Sequence, residues 1–175
     1  MLSSYTQLLV LVRHGQAKST EEDPSRPLSV AGRQQAERMS NWLAQLGIEV
    51  DEVWHSGKPR AQQTAEILAR RLGLAPAGTR QVAGLAPADD VEPVAALLEA
   101  DRKSTMLVGH LPFLNNLASR LLTGDSNRVS LRFAEVGAVV LARNSGRWLL
   151  VALISPEMCQ KDSPGGPVVD HGARG

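Results

Sequence analysis

The stretch Leu8-Leu9-Val10-Leu11-Val12-Arg13-His14-Gly15 decides how the rest of the chain is read. Five apolar residues in a row have the length of a strand, with no polar residue alternating among them. Such a strand is buried on both faces, as happens in parallel sheets covered by helices. The run ends on a cation, an imidazole and a glycine, and residues 14–28 turn polar around Gly15, Pro24 and Pro27, which reads as a loop. Ser29 then suits the N-cap of a helix whose apolar residues Ala36, Met39, Leu43 and Leu46 recur at helical spacing, with Gly47 placed to stop it. Further out, residues 50–55 read as a second strand. Residues 60–72 read as a helix with Ala61, Ala65, Leu68 and Leu72 on one face, ended by Gly73. A long Ala/Pro/Gly connection over 74–88 holds a short strand near 80–82, and residues 91–100 read as a helix. Thr105-Met106-Leu107-Val108 is another buried strand, and residues 111–122 form a helix closed by Gly124. Two β-branched apolar runs, 136–143 and 148–154, flank Asn144-Ser145-Gly146 and read as a hairpin. Strands alternating with helices predict a three-layer α/β/α sandwich with a mostly parallel central sheet, and the hairpin adds an antiparallel edge. No repeat and no second domain are visible. Residues 1–155 form the expected domain, and residues 156–175, with three prolines and four glycines, read as a C-terminal tail.

Composition narrows the function classes. A chain of 175 residues suits one domain, and a globule of this size buries roughly 70 % of its unfolded surface without metal or disulfide staples. Hydrophobic residues at 43 % and charged residues at 21 % exclude a disordered chain. Nineteen cations against 18 acids give a net charge of +1, which argues against a general nucleic-acid binder. No apolar run approaches the ~20 residues that span a bilayer, and residues 1–7 lack the basic start of a signal peptide. The single cysteine, Cys159, excludes an internal disulfide and any CxxC site. The expectation is a soluble, cytoplasmic protein with neither a nucleic-acid nor a membrane partner.

In open parallel sheets, ligands bind beyond the carboxyl ends of the strands. The first strand ends in Arg13-His14-Gly15, the second is followed by Ser56-Gly57-Lys58-Pro59-Arg60, and the strand at 105–108 ends in Gly109-His110. Two arginines and two histidines therefore fall at one end of one sheet. A guanidinium matches phosphoryl oxygens two at a time. A neutral imidazole is a nucleophile, and a protonated one is a donor. Phosphoryl transfer needs little beyond positioning and charge stabilisation, and such a pocket supplies both. Each residue also has a plainer reading: Arg60 as a solvated helix residue, His110 as the end of a strand. A metal site built from His14, His55 and His110 is a sharper rival, but no HxxxH or HxxE spacing supports it.

Four stretches carry a resemblance. Leu11-Val12-Arg13-His14-Gly15 resembles the signature of the histidine phosphatase superfamily, the phosphoglycerate-mutase-like enzymes. Residues Ser56-Gly57-Lys58-Pro59-Arg60-Ala61-Gln62-Gln63-Thr64-Ala65 are similar to its Ser-x-x-x-Arg-Ala-x-Gln-Thr block. Val108-Gly109-His110 is similar to its second histidine block, and Arg26-Pro27-Leu28-Ser29 followed by Gly32 to the segment opening its first helix. The resemblance spans about residues 8–155. It implies that His14 is the nucleophile that becomes phosphohistidine, and that Arg13, Arg60 and His110 clamp the phosphoryl oxygens. Neither metal nor cofactor is implied. Arg26 and Gln16 are candidates for the substrate-binding rim, Arg26 with an exposed salt bridge as its alternative. Ser56 and Thr64 are taken as structural.

Mutases and sugar phosphatases of this superfamily usually carry extra segments that wall in a small substrate, and mutase-like members place a Glu beside a Leu after the Arg60-type helix. This chain is short, and the corresponding region reads Gly84-Leu85-Ala86-Pro87-Ala88-Asp89-Asp90. Asp89, Asp90 and Glu92 are nearby acids that suit the first turn of a helix equally well. A sugar alkoxide leaves poorly without a general acid, whereas the weaker P–N bond of phosphohistidine dispenses with a dedicated one. The resemblance therefore narrows to the SixA-type phosphohistidine phosphatases, acting on a phosphohistidine-bearing phosphorelay or phosphotransfer protein. The alternatives are a small-molecule phosphomonoesterase of the same superfamily and a non-enzymatic relative that binds a phosphorylated partner. Other side chains read as incidental: His55 as half-buried, His171 and Lys18 as solvated, Trp42 as packing and Cys159 as a plain free thiol.

Overall fold

The computed structural model describes residues 5–160. The elements run β1 (Gln7–Arg13), α1 (Val30–Gln45), β2 (Glu52–His55), α2 (Pro59–Arg71), β3 (Thr79–Gln81), α3 (Glu92–Ala100), β4 (Thr105–Gly109), α4 (Phe113–Thr123), β5 (Ala138–Asn144) and β6 (Arg147–Ile154). One six-stranded sheet has the order β3-β2-β4-β1-β5-β6. β3, β2, β4 and β1 are parallel, while β5 runs antiparallel to β1 and β6 antiparallel to β5.

β1 shows why an unbroken apolar run was needed. Leu9, Val10, Leu11 and Val12 are wholly buried, and successive side chains leave opposite faces of the sheet. Val10 and Val12 pack into a cluster with Met39 and Leu43 of α1 and Ala65 and Leu68 of α2. Leu9 and Leu11 pack into a second cluster with Val94 and Leu98 of α3 and Leu114 and Leu117 of α4. Each such side chain contributes roughly 1.5–3 kcal/mol of burial. The two clusters make the three layers, with α1 and α2 on one face and α3 and α4 on the other.

Local signals set the element ends. The Ser29 hydroxyl accepts a hydrogen bond from the Gly32 amide at 3.0 Å and starts α1. Ser145 (φ +50°) and Gly146 (φ +82°) form the two-residue turn between β5 and β6, both in the left-handed region that such turns require. β5 begins at Ala138 rather than at the expected residue 136. Val136 has φ +56°, which takes it out of the extended region and makes it part of the turn into the strand. Of the segment expected as a tail, Pro156–Gln160 forms a 3-10 turn that includes Cys159. Residues 161–175, His171 among them, lie outside the described residues.

The topology fixes one crevice. β1 leads into α1 on one face, and its neighbour β4 leads into α4 on the other. Two adjacent parallel strands whose connections part to opposite faces open a gap beyond their carboxyl ends. Arg13 lies opposite Gly109 in the β1–β4 register, so His14 and His110 emerge side by side at that gap.

Candidate active site

A cleft of about 290 Å³ opens there, lined by Arg13, His14, Ala17, Arg26, Arg60, Pro87, His110, Leu111 and Glu135. The His14 and His110 ring centroids are 4.8 Å apart and the rings are tilted by 56°, a separation that matches the spacing of neighbouring strands. The His14 amide donates to the Gly109 carbonyl at 3.1 Å and ties the two strand ends together.

The neighbours of His14 decide its tautomer. Nδ1 lies 2.7 Å from the carbonyl oxygen of Gly15. A carbonyl only accepts, so Nδ1 carries the proton and the lone pair sits on Nε2. Arg60 Nε donates to that Nε2 at 3.2 Å. Burial pushes the His14 pKa down to about 4; the Gly15 carbonyl opposes this, and the nearby Arg60, Arg13 and Arg26 guanidiniums add to it. His110 is pushed down to about 3, again first by burial, then by His14, Arg60 and Lys58. Both imidazoles are therefore neutral at neutral pH in the free protein. Ser56 Oγ and His110 Nε2 share a hydrogen bond of 2.7 Å.

The Ser56–Thr64 block is assembled residue by residue around this pair. Ser56 holds His110 and Arg60 meets His14. Ala61, wholly buried, lets α2 lie close to the sheet. Gln63 Oε1 accepts the Leu28 amide at 2.8 Å, which anchors the loop before α1. The buried Thr64 hydroxyl accepts from the Gly15 amide at 3.1 Å and donates to the Arg60 carbonyl at 2.7 Å. Thr64 therefore joins the loop carrying His14 to the helix carrying Arg60.

Arg13 is held by one nitrogen on the Phe133 carbonyl at 3.2 Å, while another lies 3.8 Å from Glu135 Oε1. Arg26 lines the cleft from its rim, with Nε donating to the Lys18 carbonyl at 3.3 Å. Gln16 does not join them: its Oε1 accepts the Ser29 hydroxyl at 2.9 Å, which engages it at the start of α1. The acids near Leu85 are also engaged elsewhere. Asp89 accepts the Ala86 amide, Asp90 the Glu92 amide, and Glu92 pairs with Arg120. His55, buried, accepts the Gly57 amide on Nδ1 and lines a separate cavity with Gln62, Glu66 and Arg70. Trp42, partly buried, packs against the core cluster on the α1 and α2 face of the sheet.

Sequence reasoning missed Glu135, along with Pro87, Leu111 and Ala17. Looking just after each strand suits parallel strands only. β5 is antiparallel, so it begins where β1 ends, and the residues before it reach the cleft. Val136 N donates to the Arg13 carbonyl and Arg13 N to the Gly137 carbonyl. The predicted hairpin carried that signal, because it already implied a reversed strand.

A family model for the histidine phosphatase superfamily (branch 1) matches residues 9–85. The phosphohistidine phosphatase SixA of Escherichia coli (strain K12) is 32 % identical over 121 residues, covering 66 % of this chain and 74 % of that protein. The solved structure of the protein histidine phosphatase SixA complexed with tungstate superposes with a TM-score of 0.77 at 28 % identity, covering 87 % of this chain and 99 % of the other. The α-ribazole phosphatase of Shigella flexneri shares the fold, with a TM-score of 0.69 at 19 % identity over 86 % of this chain and 97 % of its own.

Proposed function

This chain belongs to the histidine phosphatase superfamily and is a phosphatase, and from that premise we propose that it removes the phosphoryl group from phosphohistidine on a protein. The substrate is a phosphorelay or phosphotransfer protein in the cytoplasm. The observation that carries this reading is the neutral His14 with its lone pair on Nε2, set beside Arg60 in a cleft that also holds Arg13, Arg26 and His110. The similar SixA structure is complexed with tungstate, a tetrahedral oxyanion, which supports a phosphoryl-sized ligand for this chain. Because Asp89, Asp90 and Glu92 do not line the cleft, the carboxylic acid that a sugar alkoxide needs is lacking from their positions. The carboxylate that does line the cleft, Glu135, faces the Arg13 guanidinium as an ion pair rather than standing as a proton donor, which favours a nitrogen leaving group over an ester.

In this mechanism His14 Nε2 attacks phosphorus, and the P–N bond of the substrate breaks with its electron pair going to the leaving imidazole. Arg13, Arg60 and His110 hold the phosphoryl oxygens while charge is redistributed. Arg60 exchanges its hydrogen bond from Nε2 to a phosphoryl oxygen, which frees the lone pair for attack. Water then attacks the phosphoenzyme, releasing phosphate and regenerating neutral His14.

The test uses a radiolabelled, histidine-phosphorylated carrier protein beside a panel of sugar phosphates. Label should leave the carrier, and an acid-labile, base-stable phosphoenzyme should be trapped. Both should fall at least about a thousandfold in His14→Ala, which lacks the nucleophile. Rapid hydrolysis of sugar phosphates with no action on the carrier rejects the reading.

A further inference from the structure

Glu135 stands out in this cleft. Among the described lining residues it is the one carboxylate, facing three guanidiniums and two imidazoles. At 3.8 Å from Arg13 and partly exposed, its ion pair is a weak source of stability. To a phosphoryl dianion it is a repulsive neighbour. Its position is nevertheless fixed. Val136, wholly buried, holds a β-branched side chain at φ +56° and bonds its amide to the Arg13 carbonyl, while Gly137 N bonds to Ala134 O. A strained backbone that persists needs surroundings that impose it, and such strain gathers at functional sites.

We propose that Glu135 is a leaving-group residue: its carboxylate accepts a hydrogen bond from the distal ring N–H of the substrate's phosphohistidine. This rests on the functional reading above. The neutral phosphorylated ring would have to depart as imidazolate, a very poor leaving group. With the distal nitrogen protonated, the ring is cationic and departs as neutral imidazole. In the step, His14 Nε2 forms a bond to phosphorus, the substrate P–N bond breaks, and its electron pair settles on the ring nitrogen. The distal proton stays where it was. Glu135 favours this protonated ring by its charge, with no net proton transfer. Arg13, His14, Arg60 and His110 surround the phosphoryl group, so the remaining walls face what it is attached to. There, Pro87 and Leu111 offer apolar sides to a flat ring, and Glu135 offers the acceptor. A phosphate ester has no such cation and meets only the repulsion.

The experiment compares kcat/KM for N-phosphoimidazole and for p-nitrophenyl phosphate, whose leaving phenolate needs no proton. The ratio of the two should fall at least fivefold in Glu135→Gln and in Glu135→Ser, because phosphoimidazole turnover drops while the ester is relieved of repulsion. The ratio does not depend on the fraction of protein folded. A ratio that stays within fivefold, whether both activities fall together through Arg13 or neither moves, overturns the role of Glu135. Wild-type protein inactive on both N-phosphoimidazole and the phosphorylated carrier, yet active on the ester, overturns the functional reading itself.

Discussion

At the scale of single residues, the cleft depends on side chains that are not among its lining residues. Ser56 is the clearest case: its hydroxyl lies 2.7 Å from His110 Nε2 and fixes the ring's rotation at the end of β4. A single hydrogen bond of this kind is worth about 1 kcal/mol, and about 1.4 kcal/mol is tenfold in rate. Ser56→Ala should therefore lower kcat about fivefold and change KM much less, because Arg13 and Arg60 remain in place. Steady-state kinetics on the phosphorylated carrier measures the split. A variant with raised KM and unchanged kcat would mean that Ser56 serves binding rather than the placement of His110. Thr64 works one step further back. Its buried hydroxyl satisfies the buried Gly15 amide and also bonds the Arg60 carbonyl.

At the scale of elements, the site is accurate because α1 is jammed against the loop that follows β1. A Cβ at Gly32 would lie 2.1 Å from the Gln16 carbonyl oxygen and 2.8 Å from its amide nitrogen. In an ordinary helix, replacing Gly by Ala gains about 1 kcal/mol. Here the new methyl meets backbone that cannot rotate away, so the sign reverses. Gly32→Ala should destabilise the fold by about 1–3 kcal/mol, the usual cost of overpacking. The Gln16 backbone sits two residues from His14, so activity should fall along with stability. Urea unfolding measures the first effect, and a midpoint equal to or above that of the wild type would contradict the close approach. The same packing explains Gln16. Its backbone carbonyl accepts the Ser29 amide and its side chain accepts the Ser29 hydroxyl, so the residue beside the signature is spent on joining loop to helix.

For the whole molecule, gathering cations and imidazoles in one place has a pH-dependent cost. Burial holds His14 near 4 and His110 near 3, and lowers His55 as well. An unfolded histidine titrates near 6.5. Between about pH 6.5 and 4 the unfolded chain therefore binds more protons than the folded one, and stability falls as pH falls through that window. The melting temperature should drop from pH 7 to pH 5, a range chosen to stay above most carboxylate titration. The drop should be shallower in a His14→Gln/His110→Gln double variant, whatever its stability at pH 7. An equal drop in the two proteins would show that the pair is not held neutral by the fold.

Much of this was decided by the sequence alone. The strands and helices were legible because their signals are local: the unbroken run before Arg13, the helical spacing after Ser29, the turn residues before Trp148. That Arg13, His14, Arg60 and His110 meet in one cleft was legible because each ends or follows a parallel strand, and parallel strands end on one side. The boundaries at Val136 and the place of Glu135 were not legible in that way. Arg13 and Phe133 are 120 residues apart along the chain yet hydrogen-bonded, and no periodicity reports a contact between a strand end and a loop so distant. Which carboxylate enters the cleft, which hydroxyl holds His110 and which glutamine turns away were decided only by the tertiary structure. Those choices follow from where the antiparallel strand begins and how closely the helices pack, and both depend on the whole chain folding at once.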